Sequence, residues 1–234
     1  MQAVILAGGL GTRLGSLAKE IPKSMICIKG APFLEYQLDF LKKGGIDDVI
    51  LCTGHLGIQI EEYFGDGSKF GVHIRYSHEN KKLLGTAGAL KKAEYLLEDI
   101  FFTIYGDSYL AVDYASVMSF FTKHDKLAMM TVYQNHDRYE KSNTAIEGNT
   151  VKQYNKGGGE GMMVYIDYGA NIFRKQAIKL IPQDQPYSLE NLFQRLIAQN
   201  ELLAFEIKER YYQIGSPEGL AIFEKYLSRR GLKL

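Results

Sequence analysis

Near its start the chain runs Leu6-Ala7-Gly8-Gly9-Leu10-Gly11-Thr12-Arg13-Leu14, directly after the apolar stretch Ala3-Val4-Ile5. Glycines at these positions let backbone N–H groups approach phosphate oxygens closely. Thr12 adds a hydroxyl donor, and Arg13 adds a planar guanidinium fork that matches a phosphate. Leu6, Ala7, Gly8, Gly9, Gly11 and Thr12 are therefore candidate nucleotide-holding positions; the competing reading is a plain strand-to-helix turn. Two other phosphate loops fail here. A dinucleotide fingerprint needs glycine where Leu14 stands, and no Walker A string exists in the sequence.

Further along, Pro22-Lys23-Ser24-Met25 sets a lysine beside a rigidifying proline, a way to aim a point charge at a triphosphate. An isolated surface lysine is ordinarily inert, so Lys23 gains meaning only beside other groups. Ile104-Tyr105-Gly106-Asp107 closes an apolar run with a carboxylate that the preceding glycine exposes. Such a hard oxygen donor suits Mg²⁺; the alternative is a structural aspartate at a strand end.

These groups need elements to hold them. Ala3 to Leu6, Val49 to Cys52, Val72 to Tyr76 and Phe101 to Tyr105 read as strands. Leu34 to Leu41, Ile58 to Phe64 and Ala87 to Leu97 read as helices, the first stopped by Gly44-Gly45. That alternation predicts an α/β fold with a mostly parallel sheet, in which ligands gather at the carboxyl ends of the strands. Both Gly8-Gly9 and Gly106-Asp107 fall at such ends. In the second half Leu127 to Tyr133, Thr144 to Ile146, Val151 to Tyr154 and Met162 to Phe173 read as strands of a small antiparallel extension. Leu189 to Ile197 and Glu218 to Leu227 read as the last helices, with Pro217 in the first turn of the latter and Ser216 as its cap. No linker divides the chain, and residues 1–234 are expected to form a single domain.

Composition sets bounds. The net charge is +1, which argues against bulk binding to nucleic acid. No run reaches the apolar length of a membrane span or a secretory leader, so a cytoplasmic protein that does not engage membranes is expected. Cys27 and Cys52 lie in apolar runs and read as buried free thiols without metal-ligand spacing. None of the histidines has a general-base partner close in sequence; His55 and His78 read as surface or loop residues.

The strings L-A-G-G-L-G-T-R-L and P-K-S-M together resemble the signature of the sugar-1-phosphate nucleotidyltransferases, which make NDP-sugars; Ser24 replaces the Pro or Ala usual there. The resemblance implies a Rossmann-like doubly wound sheet. It also implies attack by a sugar 1-phosphate on the α-phosphorus of an NTP, with pyrophosphate release and Mg²⁺ as cofactor. By resemblance Arg13 and Lys23 neutralise the triphosphate, and the G-D motif makes Asp107 a metal ligand. Glu79 with Leu84-Gly85-Thr86-Ala87-Gly88 is similar to the family's base-holding stretch, in the form seen in mannose- and heptose-1-phosphate guanylyltransferases, so GTP is expected. Gly85 and Gly88 would let a base lie flat while backbone amides read its edge. The competing reading is a helix start capped by Thr86. Lys156, beside the flexible Gly157-Gly158-Gly159, is the candidate for holding the sugar phosphate, although Asn155 replaces the usual glutamate. Ile166-Asp167-Tyr168-Gly169 resembles the segment that holds sugar hydroxyls, which nominates Asp167 and Gly169. Gln213 stands where the family has the second metal carboxylate. That substitution keeps open an inert NTP or NDP-sugar sensor, beside a cytidylyl- or uridylyltransferase acting on a sugar or a non-sugar phosphate. Homo-oligomerisation is a family habit.

Overall fold

The computed structural model describes residues 1–9, 11, 14, 20–79, 82–159 and 163–230. Its strands are β1 (Gln2–Leu6), β2 (Cys27–Ile28), β3 (Ala31–Pro32), β4 (Asp48–Thr53), β5 (His73–His78), β6 (Ile100–Tyr105) and β7 (Ser108–Tyr109). They continue as β8 (Ala128–Gln134), β9 (Thr144–Glu147), β10 (Thr150–Tyr154), β11 (Tyr165–Asp167), β12 (Ala170–Arg174), β13 (Leu202–Ile207) and β14 (Tyr212–Gln213). The α-helices are α1 (Phe33–Lys43), α2 (Gly57–Phe64), α3 (Gly85–Lys92), α4 (Tyr114–Thr122), α5 (Leu189–Ala198) and α6 (Pro217–Arg230). The chain divides into two compact units. The first holds Met1–Leu83, Ile104–Ala111 and Tyr211–Leu234; the second holds Leu84–Thr103 and Val112–Arg210.

In the first unit β1 pairs in parallel with β4, Ile5 opposite Leu51, and β4 pairs in parallel with β5, Leu51 opposite Tyr76. Val4, Ile5, Val49, Ile50 and Leu51 are all fully buried, as expected of parallel strands covered on both faces. α1 buries Phe33, Leu34, Tyr36, Gln37, Leu38 and Leu41 and carries Lys42 and Lys43 in its last turn, where cations suit the helix dipole. It stops at Gly44, and Gly45 takes a left-handed φ of +79° that only glycine adopts without strain. α6 starts as the sequence predicts: Ser216 Oγ accepts the Gly219 N–H at 3.1 Å, with Pro217 in the first turn. Its Phe223 is the centre of a ring cluster. Ring centroids of Tyr109, Phe33, Tyr36 and Tyr212 lie 5.0, 5.2, 5.9 and 6.2 Å away. Tyr109 and Tyr212 are also opposite each other in the short antiparallel pair β7–β14. The cluster thereby anchors the two strands that flank Asp107.

In the second unit the sheet is mixed. β9 and β10 form the expected hairpin, turning at Gly148 with φ +55°, and β10 also pairs antiparallel with β13. β13 runs parallel to β8 along its whole length, Leu202 opposite Ala128 through Ile207 opposite Tyr133. The predicted strand from Met162 to Phe173 is broken into β11 and β12, both antiparallel to β8, by Tyr168 and by Gly169 at φ +98°; Met162 itself lies outside the described residues. α4 and β13 were not foreseen, nor were the short strands β3, β7 and β14. α4 is launched by Asp113, whose side chain accepts the Ser116 N–H at 3.1 Å. β13, Leu-Leu-Ala-Phe-Glu-Ile, lacks the alternation of a half-buried strand.

Cys52 is buried as expected, and that burial, with the charge of Glu79, pushes its thiol up to about 12, so it stays protonated. Cys27 corrects the expectation: it is exposed, because β2 is only two residues long and turns its first side chain outward.

Phe223→Ala removes the ring on which this cluster converges. It is expected to cost about 3–5 kcal/mol, read as a lower denaturant midpoint at an unchanged slope.

Candidate active site

β1 delivers Leu6 and Ala7 to the glycine loop. The Ala7 N–H donates to Cys52 O at 2.8 Å, and Leu6 O accepts the Gly106 N–H at 3.1 Å, so the loop starts between the ends of two other segments. A side chain on Gly8 would meet Glu79 Oε2 at 2.8 Å and Gly54 N at 3.3 Å. The close approach that Gly8 permits is therefore to the chain's own carboxylate and backbone. Among the described residues nothing lies within 4 Å of a Cβ built on Gly9, and Gly11 takes a left-handed φ of +64°. Thr12 and Arg13 lie outside the described residues.

Lys23 sits in a 3₁₀ turn after Pro22, closed by Met25 N–H donating to Pro22 O at 2.8 Å. Its Nζ donates to Asp107 Oδ2 at 2.6 Å, the side chains being 17% and 25% exposed. Residues 84 apart in sequence thus meet as a partly shielded ion pair. Ser24, which replaces the usual Pro or Ala, is buried, and its Oγ finds no partner among the described residues.

Asp107 is pinned from three sides. The Ile214 N–H donates to its carbonyl at 2.9 Å. Gly106 packs so tightly on β1 that a Cβ would lie 2.8 Å from Leu6 O. The buried Gln37 of α1 donates through Nε2 to Tyr105 O at 2.9 Å and Ser108 O at 2.6 Å, bridging the carbonyls on either side of the Gly106-Asp107 turn. Across the β7–β14 pair, Gln213 lies opposite Ser108, the residue after Asp107. Lys23, Asp107 and Gln213, chosen separately from the sequence, therefore gather at one end of one unit. Gln37 escaped sequence reasoning because a glutamine on the apolar face of a helix has no motif; its one signal is that it is polar where its neighbours are not.

The strand end β5 carries Glu79 and His78. The Glu79 N–H donates to Thr53 O at 2.9 Å. His78 corrects the loop reading: it ends β5, with Nδ1 2.7 Å from Thr53 Oγ1 and Nε2 2.9 Å from Glu61 Oε2. Its partners are distant in sequence, and both ring nitrogens are engaged. His55 is exposed in a turn, as expected.

In the second unit the α3 start is not capped by Thr86. The helix begins at Gly85 after Leu84, and Thr86 Oγ1 instead accepts the Leu189 N–H at 2.7 Å. Gly85 has φ +73°, and a Cβ there would lie 2.9 Å from Tyr187 O; one on Gly88 would lie 3.2 Å from Gln185 O. The amides of Ala87 and Gly88 both donate to Tyr187 O at 3.0 Å. Two of the amides expected to read a base edge are thus spent on the chain itself.

Lys156 and Asp167 are drawn together by Asn143, a second residue that sequence reasoning missed. Asn143 O accepts the Asn155 N–H at 2.9 Å, and its Oδ1 accepts the Asp167 N–H at 2.9 Å. Asp167 Oδ1 in turn accepts from Gly169 N–H at 3.0 Å and from Asn171 Nδ2 at 3.1 Å, which fixes its carboxyl at the β11–β12 turn. The Lys156 N–H donates to Glu190 Oε1 at 2.9 Å.

Residues 2–220 match the family described as Nucleotidyl transferase. The chain belongs to that family. It is 32% identical over 223 residues to the D-glycero-alpha-D-manno-heptose 1-phosphate guanylyltransferase of Campylobacter jejuni, covering 93% of this chain and 96% of that protein. It is 31% identical over 214 residues to a UTP–glucose-1-phosphate uridylyltransferase from Synechocystis, covering 84% of this chain but 55% of that longer protein, so it spans about half of that relative. Its fold matches HddC from Yersinia pseudotuberculosis, solved with GMP-PN, at a TM-score of 0.80 and 28% identity over 97% of this chain and 99% of that one. The family fold is the Rossmann-like α/β arrangement that the resemblance implied, and the α/β class is the one the alternation of elements predicted.

Gln37→Leu strips two partly buried carbonyls of their donor. It is expected to destabilise the protein by about 1–3 kcal/mol and to speed amide hydrogen exchange at Asp107 and its neighbours, both measurable without substrate.

Proposed function

We propose that this member of the nucleotidyl transferase family moves a nucleoside monophosphate, GMP by preference, from an NTP to a sugar 1-phosphate and releases pyrophosphate. The observation that carries the reading is the Lys23–Asp107 pair held at the strand end beside the glycine loop. Transfer of this kind asks a protein for positioning and charge neutralisation, not for a covalent nucleophile. An oxygen of the sugar phosphate attacks the α-phosphorus in line, its bond forming as the bond to the pyrophosphate oxygen breaks. Lys23 and Arg13 are assigned to the charge that builds on the leaving pyrophosphate. Lys156 is assigned to the sugar phosphate, and Asp167 with Gly169 to the sugar hydroxyls. The single family match over residues 2–220 runs through both compact units and supports treating them as one functional domain. No helix among the described residues is long and apolar enough to cross a membrane. We assign the enzyme to the cytoplasm, where its NTP substrate is made.

The choice of guanine rests on Glu79. Its carboxylate lies over Gly8 at the mouth of the loop. A carboxylate accepts from two adjacent donors at once, and guanine offers N1–H beside its N2 amine, a pair that uracil lacks. The likeness to a heptose 1-phosphate guanylyltransferase points the same way. Incubation of the protein with each NTP against a panel of sugar 1-phosphates, read by pyrophosphate release, should give its highest kcat/KM with GTP. Equal or better turnover with UTP would overturn the guanylyl assignment, and no release with any pair would leave the sensor reading.

Mg²⁺ fits the donors at Asp107. The carboxyl is partly exposed, and Gln213 stands opposite Ser108, the residue after Asp107, in the β7–β14 pair. Among the described residues no group of three acidic, histidine or cysteine side chains converges, a pattern that suits an ion held by one or two protein oxygens, water and substrate phosphates. Bound there, Mg²⁺ would supply Lewis-acid stabilisation of phosphoryl oxygens. Gln213→Glu restores an anionic oxygen and is expected to lower the Mg²⁺ concentration needed for half-maximal activity, the gain vanishing at saturation. A titration that overlays wild type would remove Gln213 from the metal's surroundings.

A further inference from the structure

Four consecutive residues before and inside the first turn of α5 hold two stretches that the sequence treats as unrelated. The Tyr187 N–H donates to Leu84 O at 2.7 Å, while its own carbonyl takes the Ala87 and Gly88 amides. Leu189 N–H reaches Thr86 Oγ1 at 2.7 Å. One residue on, Glu190 Oε1 accepts the Lys156 backbone N–H at 2.9 Å. All of these groups belong to the second unit. The neighbouring amides have other acceptors: Asn155 N–H donates to the backbone carbonyl of Asn143, and Gly157 N–H to Asn155 Oδ1. The Lys156 amide relies on a side chain from another element, 34 residues away.

A plainer account is that Glu190 is an acid in the first turn of α5, favoured there by the helix dipole. That role needs a negative charge near the helix start but no contact with Lys156. The observed hydrogen bond needs the acceptor oxygen itself at one place, and the dipole account does not explain it. The Ser188 cap, accepting Asn191 N–H at 3.1 Å, fixes the helix start and with it the direction from which the carboxyl approaches.

We propose that Glu190 is the positioning residue for Lys156. We propose further that Tyr187–Glu190 couples the start of α3, the stretch similar in sequence to the family's base-holding segment, to the lysine assigned to the sugar phosphate. Ordering of the α3 start by an NTP then favours the placement of Lys156 that a sugar 1-phosphate requires, and the reverse holds by linkage. The inference rests on the sugar-phosphate role proposed for Lys156.

Glu190→Ala and Glu190→Gln separate the two accounts, because glutamine loses the charge but keeps the acceptor oxygen. For Glu190→Ala the KM for the sugar 1-phosphate should rise about two- to tenfold, the net scale of one solvent-exposed hydrogen bond. The affinity for a non-hydrolysable GTP analogue alone should stay near wild type. Glu190→Gln should recover most of the loss. Thr86→Val, which removes the Leu189 acceptor, should shrink the factor by which the GTP analogue tightens sugar-phosphate binding. Glu190→Ala with an unchanged sugar-phosphate KM, or Glu190→Gln as defective as Glu190→Ala, would overturn the proposal. If the wild type turns over no sugar phosphate, the reaction assigned above fails on its own. Amide exchange then decides the positioning role: Lys156 N–H must exchange faster in Glu190→Ala than in wild type, and equal rates overturn it.

Discussion

The first unit depends on one constraint, the immobilisation of the turn that carries Asp107. A carboxylate at a strand end is useful to a phosphate chemistry only if its backbone cannot drift. Here every direction is held by a different part of the chain: Leu6 O on the Gly106 amide, Ile214 on the Asp107 carbonyl, and Gln37 on the carbonyls to either side. The ion pair to Lys23 then sets the side chain. Charged groups already oriented before substrate arrives need no reorganisation during reaction, which is the largest single lever such sites have. The aromatic cluster around Phe223 does the same work at longer range, since Tyr109 and Tyr212 belong both to it and to the strand pair flanking Asp107.

The glycines serve this constraint more than they serve a ligand directly. Gly85 and Gly106 lie where a Cβ would collide with backbone, Gly88 where it would collide with Leu84 Cβ, and Gly8 where it would meet the Glu79 carboxylate. They let segments from different elements lie against one another with nothing between them, which in turn sets where polar groups point. Gly9 differs: among the described residues nothing lies within 4 Å of where its Cβ would be. A glycine-rich string is thus two features overlaid, and sequence alone does not separate them.

The parallel core was legible because buried strands such as Val4-Ile5-Leu6 and Val49-Ile50-Leu51-Cys52 are unbroken apolar runs, and the stop at Gly44-Gly45 is strong local chemistry. The helix Tyr114–Thr122 and the strand Leu202–Ile207 were not legible, one lacking a clean amphipathic period and the other reading as an undifferentiated apolar stretch. The break at Tyr168-Gly169 was hidden because a positive φ at one glycine interrupts a run whose composition is strand-like throughout. Exposure of Cys27 was hidden for a related reason: apolar neighbours predict burial on average, but a two-residue strand turns side chains to opposite faces.

For the site, the sequence offered motifs whose resemblance to a known family named that family and its charged candidates: Lys23, Asp107, Lys156, Asp167, and Arg13 beyond the described residues. Those are chemical identities, and chemistry is carried locally in sequence. Tertiary structure alone decided who meets whom. Lys23 and Asp107 are 84 residues apart, Gln37 lies 71 from Ser108, and Thr86 lies 103 from Leu189. Each contact exists because hydrogen-bond geometry is satisfied within a few tenths of an ångström after the whole chain has packed. The same packing turned Thr86 from an expected helix cap into an acceptor for α5, and gave His78 two partners that no neighbouring residue could have announced. Local sequence specifies which groups are available; closure of the buried hydrogen bonds, possible only in the folded chain, fixes where they stand.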